Sequence, residues 1–295
     1  MPPLSDQPRV WLITGASSGL GMRFMTHLIG RGEYVIASAR SLEKLDKVIA
    51  DAGIKGAERL KALRIDVTDG AEKVKAQIDQ AAAFWGRIDV LVNNAGSAIP
   101  SLFEEGGTTI LRRQFETNVF GLVDVTTAVL PYLRKNPGSC LLVIGSRSVW
   151  RPEFTGAGHY SASKAAVHAI TENLMSELSE FKVKVLLVEP GGFRTEGVAS
   201  QRYYLGNQIP EYDDLRRRGQ EMLAKMPGHQ PGDPDKAVEA VIDVVKGEGM
   251  AKDKPWPNYL ILGSDAERDV KKKIDKVTSD LDTFLDLTRS TDYEE

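Results

Sequence analysis

Tyr160 and Lys164 stand four residues apart in the segment HYSASK, residues 159–164, so on a helix they share one face. A free phenol titrates at about 10 and is a poor base at neutral pH, but a nearby ammonium group favours the phenolate. Such a pair can deliver a proton to a carbonyl oxygen as hydride arrives, or remove one from an alcohol. Chance Tyr–Lys pairs of this spacing are common on exposed helices, so the pair gains meaning only in company. A second chemical segment is TGASSGLG, residues 14–21, which follows an apolar run and precedes a helical pattern. Gly15 allows a sharp turn, and Gly19 and Gly21 let the backbone approach a pyrophosphate. Ser17, Ser18 and Leu20 lie in the same turn, and the helix start supplies amide donors and partial positive charge. At the end of the second apolar run the chain reads ASARS, with Arg40 and no carboxylate. An acid there would bond the 2′-hydroxyl of NAD, whereas an arginine accommodates the 2′-phosphate of NADP, so NADP(H) is favoured over NAD(H). The alternative for Arg40 is a solvated loop cation. Asp66, with the adjoining Val67, is a candidate for the adenine end; its alternative is a capping turn before Thr68.

These groups need elements to hold them. Short apolar runs at 10–14, 34–39, 60–67, 88–92, 140–144, 182–188 and 259–262 alternate with stretches of helical period. Apolar on both faces, the runs read as strands covered by helices on each side. Ser41 and Asp233-Pro234 are helix-start signals, and Gly32 and Gly53 fall where helices end. The pattern predicts an α/β fold: a doubly wound Rossmann-type parallel sheet of about seven strands, in one domain over residues 1–295. Two regions break the alternation. Residues 193–232, rich in Gly, Pro, Arg and Tyr, read as a substrate loop or as a solvated excursion. Residues 265–288 read as a carboxyl-terminal helix whose Val270, Ile274, Val277, Leu281 and Phe284 form a buried stripe against the same domain or a second subunit.

A net charge of −3 offers no basic surplus for nucleic acid or an anionic membrane. The opening MPPLSDQPR does not resemble a signal peptide, and no apolar run is long enough to span a bilayer. A single cysteine, Cys140, fits a reducing compartment, so a soluble cytoplasmic protein is expected. His27, His159, His168 and His229 lack metal-ligand spacing, and no metal site is expected. Trp150, Phe154, Phe193, Tyr203 and Tyr204 fall near the loops around the expected pocket and suggest an apolar or aromatic carbonyl compound.

Taken with NNAG at residues 93–96, Asn118 in FETNVFG and the run from Pro190-Gly191 to Thr195, these motifs resemble the short-chain dehydrogenase/reductase family over residues 9–197. The resemblance implies that Tyr160 is proton donor and acceptor, and that Lys164 lowers its pKa and holds the nicotinamide ribose. It implies that Asn118 anchors a water linking Lys164 to solvent. Asn93, Ala95 and Gly96 would line the cofactor, and Pro190, Gly191, Phe193 and Thr195 would lie against its nicotinamide end. The family places a substrate-polarising serine thirteen residues before the tyrosine, where this chain has Arg147. Ser146 is the expected serine, with one residue inserted in the following loop, and Ser148 is the alternative. The implied activity is NADP(H)-dependent interconversion of a ketone or aldehyde and its alcohol, in a homodimer or homotetramer with a small-molecule partner. A catalytically silent nicotinamide-binding regulator and an NAD-linked alcohol dehydrogenase are the competing readings.

Overall fold

The computed structural model describes residues 7–54, 57–151, 154–199 and 201–293, so the first six residues and residue 200 of the 193–232 segment lie outside it. Seven strands, β1 (Val10–Ile13), β2 (Tyr34–Ala39), β3 (Leu60–Arg64), β4 (Val90–Asn93), β5 (Cys140–Ile144), β6 (Lys184–Pro190) and β7 (Tyr259–Leu262), form one sheet in the order β3-β2-β1-β4-β5-β6-β7. Every pairing is parallel. The helices are α1 (Gly19–Gly30), α2 (Leu42–Asp51), α3 (Ala71–Ala83), α4 (Phe103–Phe115), α5 (Gly121–Leu133), α6 (Gly158–Ser179), α7 (Glu196–Ala199), α8 (Asp213–Lys225), α9 (Pro234–Lys246), α10 (Ser264–Thr283) and α11 (Leu285–Arg289).

Alternation along the strands divides the core in two. Leu12, Ile36, Leu91, Leu141 and Val143 face one side, packed with Val74 and Ile78 of α3, Val125 and Val129 of α5 and Val167 of α6. Trp11, Ile13, Val35, Val90, Cys140 and Leu142 face the other, with Phe24 and Leu28 of α1 and Val238 and Ile242 of α9. Fully burying such an aliphatic side chain is worth about 1.5–3 kcal/mol, so both helical layers are held by their apolar stripes. The expected start signals act as read: the Ser41 side chain accepts from the Lys44 amide, and Asp233 accepts from the Asp235 and Lys236 amides. Because the strand order reverses between β1 and β4, a crevice opens there beyond the carboxyl ends of the strands.

Four strands differ at their ends from the sequence reading, and of these β1 stops at Ile13. β3 ends at Arg64, because the Asp66 side chain takes the Thr68 amide and hydroxyl in a tight turn. β4 starts at Val90 and includes Asn93. β6 starts at Lys184, since Lys182 has a positive φ of 54° that no strand continues through, and it runs on to Pro190.

Of the two regions that break the alternation, the first is corrected and the second loses one of its two readings. Residues 193–232 carry a 13-residue helix, α8, with Asp213 and Asp214 in its first turn and Lys225 in its last, as the helix dipole favours. Arg216 is buried there, and its guanidinium donates to Glu105 of α4 through Nε and Nη2 and to the Ile209 carbonyl. Glu105 in turn accepts from the Ile209 amide. The segment is therefore strapped to α4. The carboxyl-terminal stripe is not buried on its own chain: Ile274, Val277, Leu281 and Phe284 are each at least half exposed. α10 is fixed at its amino-terminal end instead, where Asp265 and Asp269 are buried and pair with Arg147. Among the described residues, no helix is long and apolar enough to cross a membrane.

Removing the Glu105 charge leaves a buried guanidinium short of its partner. The Glu105→Gln variant is expected to increase amide exchange in α8 on the order of 100-fold while the sheet keeps its protection, measured by hydrogen exchange with mass spectrometry. Unchanged exchange across α8 would show that the strap carries no weight.

Candidate active site

The turn from β1 into α1 is built so that only glycine fits. Gly15 has φ of 67°, and a Cβ on Gly21 would collide with the Gly15 carbonyl oxygen and the Asn94 side chain. The Asn94 amide group holds that turn by donating to the Thr14 and Gly15 carbonyls. The start of α1 receives an anion: the Gly19 amide donates to a Glu196 carboxylate oxygen at 2.9 Å, and Arg23 pairs with the same carboxylate. A turn that closes around a carboxylate in this way fits a phosphate group on the same donors. Asn94 and Glu196 were not singled out from the sequence. Asn94 was legible as the second residue of NNAG, whereas nothing in the sequence ties Glu196 to Gly19, 177 positions away.

A cavity of about 880 Å³ extends from this turn along the crevice. Ser18, Leu20, Arg40 and a second cation that the sequence reading passed over, Lys44, lie at one end of its lining; Ser146, Tyr160 and Lys164 also line it. Gly96, Pro190, Gly191, Phe193 and Thr195 are on its wall. Phe154, Tyr203 and Tyr204 also line it, whereas Trp150 does not: its indole N–H donates to Glu189. The side chains of four residues expected at the cofactor pack elsewhere, Ala95 against the core among them. The Asn93 side chain is buried against α5, donating to Thr126 Oγ1 at 2.7 Å. Val67 belongs to the core and packs against Gly121. Asp66 holds its own turn, as its alternative reading had it.

The register question around Arg147 has a geometric answer. β5 ends at Ile144, Ser146 caps the short 3₁₀ turn that follows, and its Oγ accepts from the Ser148 amide. Ser146 is the side chain that pulls the Tyr160 phenol downward in pKa, as a hydrogen-bonding neighbour of its phenolate. Arg147, which also lines the cavity, pairs with Asp265 at 2.8 Å and Asp269 at 3.1 Å. The Ser148 hydroxyl is buried and makes no hydrogen bond. Of the two serines, the structure brings Ser146 to the tyrosine.

Helix α6 carries Tyr160 and Lys164 inward. His159 fixes its start: one ring nitrogen is 3.0 Å from Ser101 Oγ, the other 3.0 Å from the Gly107 carbonyl, and the ring stacks on Phe103. Lys164 is buried, and its Nζ donates to the Ile144 carbonyl at 2.7 Å. Burial brings the Lys164 ammonium down to about 8, while Glu189 opposes that fall. Burial pushes the Tyr160 phenol above its ordinary value, with the Ser146 hydrogen bond pulling against it and Glu189 adding to it. Desolvation is the largest influence on the phenol. Asn118 lies in a π-helical turn, Glu116–Phe120, between α4 and α5. It donates to the Ser97 carbonyl and to Ser163 Oγ and accepts from the Ser97 amide, so its amide is fully engaged beside Gly96.

The arrangement is a phosphate-sized amide cradle, a cavity along the switch point, and a hydroxyl pair backed by a buried ammonium. Sequence comparison places it. A family model for short chain dehydrogenase matches residues 9–204. The oxidoreductase BOA17 of Botryotinia fuckeliana is 32% identical over 262 residues, 88% of this chain and 90% of the relative. A 3-ketodihydrosphingosine reductase of Bacteroides thetaiotaomicron is 35% identical over 74% of this chain and 77% of its own length. The crystal structure of a short-chain dehydrogenase from Streptomyces avermitilis superposes with a TM-score of 0.83 at 34% identity, covering 97% of this chain and all of that one. With two thirds of the chain inside the family model and the fold shared with a solved member, the protein is an oxidoreductase of the short-chain dehydrogenase/reductase family.

Proposed function

We propose that the enzyme is an NADP(H)-dependent reductase that interconverts a ketone or aldehyde and its alcohol, with Tyr160 as general acid and base. The observation that carries the reading is the Ser146–Tyr160 hydroxyl pair on the wall of a cavity that reaches the glycine turn. The cradle at Gly15, Gly19 and Gly21 suits a pyrophosphate, and Arg40 with Lys44 suits a 2′-phosphate. When bound, the nicotinamide supplies or accepts the hydride. Thr195 and the 190–193 segment would hold its carboxamide end, and Lys164 its ribose hydroxyls.

What the chain contributes is the proton and the field. Because burial keeps the Tyr160 phenol protonated at neutral pH, it is ready to give its proton to a carbonyl oxygen as negative charge grows there. Ser146, whose Oγ is held by the Ser148 amide, donates its own hydrogen to the same oxygen and stabilises that charge. Lys164 stays an ammonium at neutral pH and balances the phenolate left after transfer. A protonated resting phenol favours the reductive direction. The name of the 3-ketodihydrosphingosine reductase among the relatives fits a ketone as the acceptor.

Tyr160→Phe removes the proton and little else. It is expected to lower kcat roughly 10²- to 10⁴-fold in NADPH oxidation with a panel of ketones, aldehydes and diketones, while NADPH affinity by fluorescence titration stays within experimental error. Turnover that survives would exclude Tyr160 as the acid. Arg40→Ala is expected to raise the KM for NADPH about 10-fold and leave that for NADH nearly unchanged; equal effects on both cofactors would remove the 2′-phosphate assignment. The Lys164 ammonium is retained below about 8 and lost above it. The reductive rate should therefore fall as pH rises through that value, seen in the pH profile of kcat/KM, and a flat profile from pH 7 to 9.5, a window of roughly one unit or more on each side, would exclude the ammonium.

A further inference from the structure

Glu189 is the last residue of β6 but one, directly before Pro190, and its side chain is fully buried. A carboxylate at 0% exposure is stable only if something holds it. Three groups do. The Trp150 indole N–H donates to Oε2. His168 Nδ1 lies 3.3 Å from Oε1 as an ion pair. Gly145 presents bare backbone, and a Cβ there would sit 2.7 Å from Oε1. Gly145 and Trp150 bracket the turn that carries Ser146, and Gly145 follows Ile144, whose carbonyl accepts from Lys164.

α6 supplies the other half. Tyr160, Lys164, His168 and Glu172 recur every fourth residue and make one polar stripe along the helix. His168, itself buried, bridges the stripe to Glu189 and lies 3.3 Å from Glu172 through Nε2. The Tyr259 hydroxyl of β7 donates to Glu172 at the exposed end.

We propose that Glu189 is a positioning residue of the site, tying the 145–150 turn to α6 and setting a fixed negative charge behind the Tyr160–Lys164 pair. The inference rests on the proposed acid–base reading of that pair and deepens it. The charge opposes the fall that burial imposes on the ammonium, and it adds to the rise that holds the proton on the phenol. The groups facing it are Tyr160, Lys164 and His168 of α6, with Glu172 and Tyr259 next in line, and Trp150 from the turn. His168 draws positive charge toward Glu189, its own pKa being raised chiefly by that carboxylate.

Glu189→Gln keeps the shape and an acceptor for Trp150 while removing the charge. The test is a pH titration of the full-length protein labelled with 13Cε-lysine, the Lys164 resonance being identified by its loss in Lys164→Met. The Lys164 midpoint is expected to fall by ~0.5–1 pH unit in Glu189→Gln, and Glu189→Asp is expected to restore most of the fall. The descending limb of kcat/KM against pH should move by the same amount. A Lys164 midpoint unmoved in Glu189→Gln overturns the proposal, as does an equal shift in Glu189→Asp, which would mark a packing effect. The titration needs no substrate. If the carbonyl panel is silent with the wild-type enzyme but the midpoint shifts as expected, the reductase reading fails and the role of Glu189 stands.

Discussion

An ammonium group held in the interior is the constraint around which this site is arranged. Lys164 sits beneath the carboxyl edge of the sheet, where desolvation disfavours its charge. It is tolerated because β5 ends one residue before a glycine and leaves the Ile144 carbonyl free to accept from it. The same strand end brings Ser146 to Tyr160, and the neighbouring strand end brings Glu189 behind both. Parallel strands make this possible, since all their carboxyl ends lie on one side and their terminal polar groups converge. Burial of the ammonium, the raised phenol and the buried carboxylate are thus one electrostatic problem, solved by a few backbone groups whose positions the sheet fixes.

Much of the fold was legible because it rests on local periodicity. Apolar runs with both faces covered gave the seven strands, and Ser41 and Asp233 gave the helix starts. What was missed rests on contacts distant in sequence. α8 has little apolar stripe to announce it, and its anchor is an ion pair between Arg216 and Glu105, 111 positions apart. The stripe at 270–284 has the right period for a buried face, yet periodicity states only that a face is apolar, not what covers it. The strand at 60–67 was read too long because Ile65 and Val67 are core residues outside the strand itself.

The site divides the same way. Tyr160 and Lys164 were readable from spacing, because a helix enforces the shared face. Ser146 was readable from strand parity, and the structure explains why Arg147 could be inserted beside it: the arginine is taken up by Asp265 and Asp269 of α10. A motif assigns residues to a neighbourhood without saying which side of the chain each side chain takes, as Asn93 and Val67 show. Asn93 and Asn94 are adjacent, and they point to α5 and to the glycine turn respectively. Glu189 carried a signal that went unused, being an acid at the end of the otherwise apolar run VLLV.

The Arg147 linkage has a structural consequence of its own. The turn 145–150 is held from three directions: by Glu189 through Trp150, by α10 through Arg147, and by its own Ser148 amide on Ser146. A serine whose hydroxyl must meet both the tyrosine and a substrate oxygen gains from such fixing, because a preorganised donor needs no reorientation as charge develops. The opposite wall, α8, is fixed by a strap to a different helix, α4, whose Gly107 carbonyl meets His159 next to Tyr160. One wall is therefore locked to the sheet and the other to the helix layer that begins at the tyrosine. Movement of α8 would change the shape of the cavity without disturbing the Ser146 turn, so the geometry separates the wall that shapes the cavity from the part proposed to act on a substrate.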